Sequence, residues 1–302
     1  MKVQNWIEQT CHSLEWQTWG LILMTYTAWG LLINFWSVLP FWLILPIGAC
    51  IVALHNSIQH EAIHNHPTHS KTWNSIIAGI PVNLWRPYGI YRDTHLQHHQ
   101  NQNITFTRED PESYYVSPEN WEKMGKFHQL FRVFFNTFPG RIIFGPAYLM
   151  LKFFWNEIKA LGKSKNQYMN YWKIQILACI PVILWFWFCK VPFWQYFLLA
   201  IYPGESLSLI RSFAEHRAAE QVFHRIAIVE SNLFFSLLFL NNNLHCVHHW
   251  KQDLPWYELP EYFQKNRHVI LNMNDNYYFK GYAEIFKNYW NKPWIHPLPP
   301  LA

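Results

Sequence analysis

Seventeen histidines in a chain of 302 residues gather in short clusters with helical spacing. HEAIH sets His60 and His64 four residues apart. HLQHH sets His95, His98 and His99 at i, i+3 and i+4, and HCVHH repeats that pattern with His245, His248 and His249. His216, in RSFAEHR, adds a further ring. Residues three and four apart share one face of a helix, so each cluster presents its imidazoles together. Buried neutral imidazoles in such number would each need partners, and cationic ones would repel. Metal coordination removes both costs. A tetrahedral zinc takes four ligands, whereas these nine histidines suit two metals, each with four or five imidazoles and an open position. Imidazole serves iron, zinc, nickel and copper, so residue type alone does not choose the metal.

The letters of HEAIH also fit the HExxH zinc-hydrolase pattern, with Glu61 as base. That reading leaves both HxxHH clusters without a role. His55, His66, His69, His128, His224, His268 and His296 share no spacing with the boxes and are expected as hydrogen-bonded or exposed side chains. The cysteines, Cys11, Cys50, Cys179, Cys189 and Cys246, make no CxxC pair. They indicate neither a disulfide framework nor a thiolate zinc site.

The elements that must hold these rings follow from composition. The chain is 51% hydrophobic and 19% aromatic but only 14% charged, where a soluble domain carries about a quarter charged residues. Mean hydropathy is nevertheless −0.11, so a large polar part accompanies the apolar one. No Asp, Glu, Lys or Arg occurs from Trp16 to His60. At about 20 residues per crossing that run suffices for two spans, with a turn near 37–40. A buried soluble core is the weaker reading, because so polar a remainder would not cover so long and aromatic a run. Lys173 and Lys190 bracket a third apolar run. A fourth follows Pro192 and ends before Arg211, with a kink at Pro203 and Gly204 and with Glu205 turned toward protein.

The expectation is an all-α integral membrane protein forming one domain, 1–302. Four transmembrane helices at about 19–38, 41–60, 171–189 and 192–210 would pair as two hairpins. Twelve Lys and Arg residues between 66 and 170 place that segment in the cytoplasm by the positive-inside rule. The helical di-metal domain (61–170 and 211–302) and both termini are then cytoplasmic, and all the histidine groups lie on one side. Within it, 131–163 reads either as an interfacial amphipathic helix pair broken at Pro139–Gly140 or as a helix packed on the domain. The apolar stretch in 231–242 is too short to span, and 251–302 reads as a closing segment without its own core.

In order and spacing the boxes resemble those of the integral-membrane fatty acid desaturases and their hydroxylase relatives. HEAIH is similar to the family's first box, HLQHH to the second and HCVHH to the third, over roughly 16–255. The resemblance implies two iron ions (Fe2+/Fe3+), held by the box histidines and a further histidine near the last span, where His216 stands. Some members place an Asn one turn before that histidine; Ser212 occupies the position here, so that feature does not carry over. The phrase LHNSIQHEAIHNHPT is closer to bacterial members, which implies a multi-pass protein of the bacterial inner membrane. The implied activity is that of an O2-dependent oxidoreductase that desaturates a fatty acyl chain at unactivated C–H bonds. A hydroxylase of lipids or alkanes, or a decarboxylase forming a terminal alkene, would carry the same boxes. Glu61, Asp93, Glu215 and Asn241 stand near the ligands in sequence and are candidates to accept imidazole N–H bonds. The run Asn241 to Asn243 would equally cap the preceding helix.

The sequence holds no GxGxxG loop after a strand and no iron–sulfur CxxC pattern. Electrons are therefore expected from a separate donor of ferredoxin, rubredoxin or cytochrome type. The net charge of +5 suits an anionic membrane surface or an acidic partner. The basic residues form no recognisable nucleic-acid motif, and no nucleic-acid partner is expected. A metal transporter would need ligands at mid-membrane rather than at its edge.

Overall fold

A computed structural model describes residues 14–100, 102–161 and 168–300. Cys11, both chain termini and the last residues of 131–163 lie outside the described residues. In chain order the helices are α1 (Trp16–Asn34), α2 (Phe41–Ile63), α3 (Lys71–Ala78), α4 (Tyr88–Gln100), α5 (Pro118–Glu122), α6 (Lys126–Phe135) and α7 (Phe138–Leu161). There follow α8 (Met169–Phe188), α9 (Phe193–Tyr196), a π-helical turn Phe197–Ile201, α10 (Tyr202–Ser212), α11 (Leu233–Leu238), α12 (His245–Trp250), α13 (Leu259–Met273) and α14 (Tyr282–Tyr289). Two short strands, β1 (Ile228–Val229) and β2 (Tyr278–Phe279), pair in parallel and are a small exception to the all-α expectation. The chain divides into two compact units, one of residues 1–92 and 168–204, the other of residues 93–167 and 205–302.

In the first unit α1 buries Thr18, Ile22, Thr25, Trp29, Leu32 and Ile33, a stripe at helical period. Its other face stays apolar, with Trp16, Leu23, Met24 and Leu31 exposed. The N-terminal turns of α2 expose Phe41, Trp42 and Leu45, whereas almost every residue from Ile51 to Ile63 is buried. Two glycines permit close approach here. A Cβ on Gly48 would lie 2.8 Å from that of Ala200, and one on Gly204 would lie 2.5 Å from that of Val52. The Tyr196 hydroxyl ties the unit together: it donates to the Val82 carbonyl at 2.8 Å and accepts from Trp29 Nε1 at 3.0 Å.

The four-span expectation is overturned. Among the described residues only Phe41–Ile63 and Met169–Phe188 are long and apolar enough to cross a bilayer. Helix α1 has the length, but Gln17, Thr18, Thr25, Tyr26 and Thr27 interrupt its apolar character. The stretch 192–210 is not a regular α-helix. Pro203 brings no N–H to the ladder and clashes with a regular preceding turn. The chain widens there into the π turn, which joins α9 to α10 without a break but interrupts the α-helical geometry. Without two hairpins, the crossing count that put both termini and every box on the cytoplasmic side no longer holds.

In the second unit α6 and α7 meet at Asn136–Thr137 rather than at Pro139–Gly140. The Thr137 Oγ1 accepts from the Gly140 amide at 3.1 Å. Pro139 then falls in the first turn of α7, where no amide is needed. A Cβ on Gly140 would meet the Phe134 carbonyl oxygen at 2.0 Å, so only glycine fits the corner. The segment after 251 joins this unit's core: Leu259, Phe263 and Ile270 of α13 pack with Ile226, Ile228, Cys246 and Val247. Strand β2 extends that support, with Ile228 donating to the Tyr277 carbonyl at 2.9 Å.

Candidate metal centre

The second unit gathers seven of the nine box histidines into two adjacent groups. His98 on α4, His216 on the segment after α10, and His245 and His249 on α12 form the first. Their ligating nitrogens all lie within 4.8 Å of one another. The Nε2 of His216 stands 3.1 Å from those of His98 and His245, and His249 Nε2 is 3.1 Å from His245 Nε2. His95, His99 and His248 form the second group, with His99 and His248 Nε2 atoms 3.1 Å apart. The groups share a wall, for the rings of His99 and His249 stack with centroids 4.2 Å apart.

Local structure explains the placement. The i, i+3, i+4 spacing sends three rings of α4 to one side, and α12 does the same. His216 reaches the centre from extended backbone, fixed by Ala227 donating to the Glu215 carbonyl at 2.9 Å and Arg217 donating to the Arg225 carbonyl at 3.0 Å. The Tyr277 hydroxyl donates to the Ala214 carbonyl at 2.6 Å from below.

The far side of the rings carries acceptors. Asp110 Oδ1 lies 2.8 Å from His98 Nδ1, and Glu112 Oε1 lies 2.9 Å from His95 Nδ1. Asn242 Oδ1 lies 2.9 Å from His245 Nδ1. A carboxylate or amide oxygen only accepts, so each Nδ1 carries a proton, and in the neutral ring Nε2 then turns a lone pair inward. Nε2 atoms 3.1 Å apart need a proton or a metal cation between them. The donor set is wholly imidazole, and it fits a transition-metal ion.

Charge effects in the metal-free chain agree. Burial lowers His98, but Glu112, Asp110 and Glu215 outweigh it and bring its pKa to about 9. Burial, then the charge on His98, brings His216 down to about 3. Burial first, then neighbouring rings, holds His245 and His249 well below the ordinary value. One retained proton thus stands where a cation is wanted, and the other rings stay neutral donors. Burial also raises Glu215 to about 7, opposed by Arg211, whose Nη1 is 2.7 Å away.

The remaining candidates are placed as follows. His60 and His64 lie buried at the C-terminal end of α2 in the first unit, with ring centroids 4.9 Å apart. Glu61 Oε1 is 3.9 Å from His60 Nδ1. Glu215 Oε1 is 3.6 Å from His245 Nδ1. Asp93 is half-buried on α4. Asn241 takes a left-handed conformation and donates to the Trp256 carbonyl at 2.9 Å, leaving the contact with His245 to Asn242. His66 lies against Glu15, at 2.6 Å, in the first unit. Asp110, Glu112 and Asn242 are the supporting residues that sequence reasoning missed. The only signal for the first two is the acidic EDPE (109–112), set in an otherwise basic stretch after the second box.

The model of the fatty acid desaturase family matches residues 34–281, and the chain belongs to that family. A comparison with curated proteins finds no match.

Proposed function

We propose that this member of the fatty acid desaturase family is an O2-dependent, non-haem di-iron oxidase that desaturates a fatty acyl chain. The observation that carries the reading is the convergence of four imidazole Nε2 atoms backed by buried acceptors. His98, His216, His245 and His249 would hold one iron. His95, His99 and His248 would hold the other, completed by His60 and His64. When bound, the pair of irons supplies the redox chemistry that removes hydrogen from an unactivated C–H bond with O2.

The chain's own residues supply orientation and enclosure. Asp110, Glu112 and Asn242 keep the Nδ1 protons of His98, His95 and His245, which fixes the tautomers and aims the donor nitrogens. The apolar packing of Ile226, Ile228, Cys246 and Val247 holds the third box rigid and keeps water from its rear. The helices Phe41–Ile63 and Met169–Phe188 are the segments that would seat the protein in a bilayer, taken as the bacterial inner membrane, beside its lipid substrate. Electrons would come from a separate ferredoxin, rubredoxin or cytochrome.

The test is metal analysis and Mössbauer spectroscopy on the detergent-solubilised protein, followed by aerobic turnover with acyl substrates and mass spectrometry of the products. Two irons per chain and a product two mass units lighter are expected. An alcohol, or an alkene shortened by one carbon, would replace desaturation by hydroxylation or decarboxylation. A single zinc with O2-independent hydrolysis would end the oxidase reading.

A further inference from the structure

The second unit contains a cavity of about 670 Å3 that the metal centre does not use. It lies between the loop 107–125 and the facing turns of α6 and α7. Arg108, Lys123, Arg132 and Lys152 line it, with His128, and Glu119 is the one carboxylate in the lining. Among the described residues only Arg108 of these four cations has an ion-pair partner, Glu119 at 3.4 Å. The cavity, partly open to solvent, therefore carries a net positive charge, a field that favours anions.

Its hydrogen-bonding groups point the same way. Arg132 is 5% exposed, and its Nε is buried with no hydrogen-bond partner. Its other nitrogens donate to the Tyr148 hydroxyl at 2.6 Å and the Tyr114 carbonyl at 2.8 Å, which locks the guanidinium in place. Tyr148 accepts from Arg132, and Tyr115 accepts from the Ala218 amide at 2.9 Å, so each phenol keeps an O–H to donate. A lining of cations and hydroxyl donors suits the several acceptor oxygens of a phosphate group. The volume accommodates a headgroup rather than a bare ion. Along α7 the stripe continues from Tyr148 and Lys152 to Trp155 and Lys159 on successive turns, with Trp155 exposed and Lys159 over its ring at 4.8 Å. On α6 Phe127, the residue before His128 of the lining, is exposed. Apolar side chains flanking a basic cavity form the arrangement that takes a phospholipid headgroup and its tails.

We propose that this cavity binds a phosphate group, as carried by an anionic lipid headgroup or free in solution, through Lys123, Arg132 and Lys152. The full chain in neutral detergent is titrated calorimetrically, at constant ionic strength, with inorganic phosphate and with dihexanoyl phosphatidylglycerol. Saturable binding of one equivalent is expected for at least one of them. Tighter binding of the lipid by tenfold or more identifies the headgroup as the source; equal affinities identify the phosphate group alone. The double variant Lys123→Gln/Lys152→Gln should bind at least tenfold more weakly. Glu119→Gln removes the competing carboxylate and should bind several-fold more tightly, which keeps a readout if the double variant folds poorly. The absence of saturable binding of either probe, or variants with unchanged affinity, would overturn the assignment.

Discussion

The two histidine groups of the second unit differ in how they are held. Around His98, His216, His245 and His249 the support is interior: the side chains of His98 and Asp110 are 0% and 2% exposed. Around His95, His99 and His248 it is looser, for the Glu112 side chain is 34% exposed. The first group draws on α4, α12 and the strand-like segment at His216, all within one unit. The second group offers three rings from this unit. A group closed within one unit is preorganised by that unit's own packing.

The sharpest break in that comparison is His245→Ala. It removes a ring that touches both His216 and His249, so turnover should fall to background and the tighter iron should be lost, by metal analysis. His60→Ala should be selective: iron falls from two per chain to about one, and the four-ring group keeps its metal. Loss of both irons in His60→Ala would show that the two groups load as one. Supporting acceptors come next. Asp110→Asn should weaken metal affinity by about 10–100-fold, and Glu112→Gln, at the more exposed contact, by less. Competition with a chelator measures both, and a reversed order would erase the distinction between buried and exposed support.

The smallest effect concerns acid. In the metal-free chain His216 is held at about 3, and His245 and His249 also lie well below the ordinary value. The unfolded chain takes up those protons below about 6.5 while the folded chain does not, so stability falls as pH drops from there toward 3. His98 acts in the opposite sense: with a folded pKa of about 9, its contribution is full below about 6.5 and is lost as pH rises through 9. More groups pull the first way, so the melting temperature of metal-free protein should be lower at pH 5 than at pH 7.5. A rise on acidification would contradict neutral burial of these rings.

The boxes were legible because neighbouring rings on one helix face leave a periodic trace, but the spacing did not show that each HxxHH box is divided: His98 parts from His95 and His99, and His248 from His245 and His249. His216 has no local pattern, yet its place after an apolar stretch marked it. The acceptors were less legible. Asp110 reaches His98 through a loop fold in which its Oδ2 also accepts from the Thr105 amide at 2.7 Å, and no periodicity reports such a turn. Asn242 rather than Asn241 meets His245 because the backbone turns left-handed at Leu240 and Asn241. The spans were over-read for a related reason. Low charge density marks apolar surroundings but does not show whether a regular α-helix fills them, and before Pro203 a π turn intervenes.

The pairing of β1 with β2 has a consequence in time. Every box histidine has been synthesised once Trp250 is added, but Ile228 and Glu230 find their partners only on Tyr277 and Phe279. The Tyr277 hydroxyl that steadies the stretch before His216 arrives equally late. A nascent chain therefore carries all these histidines before it has the latch that sets one of them.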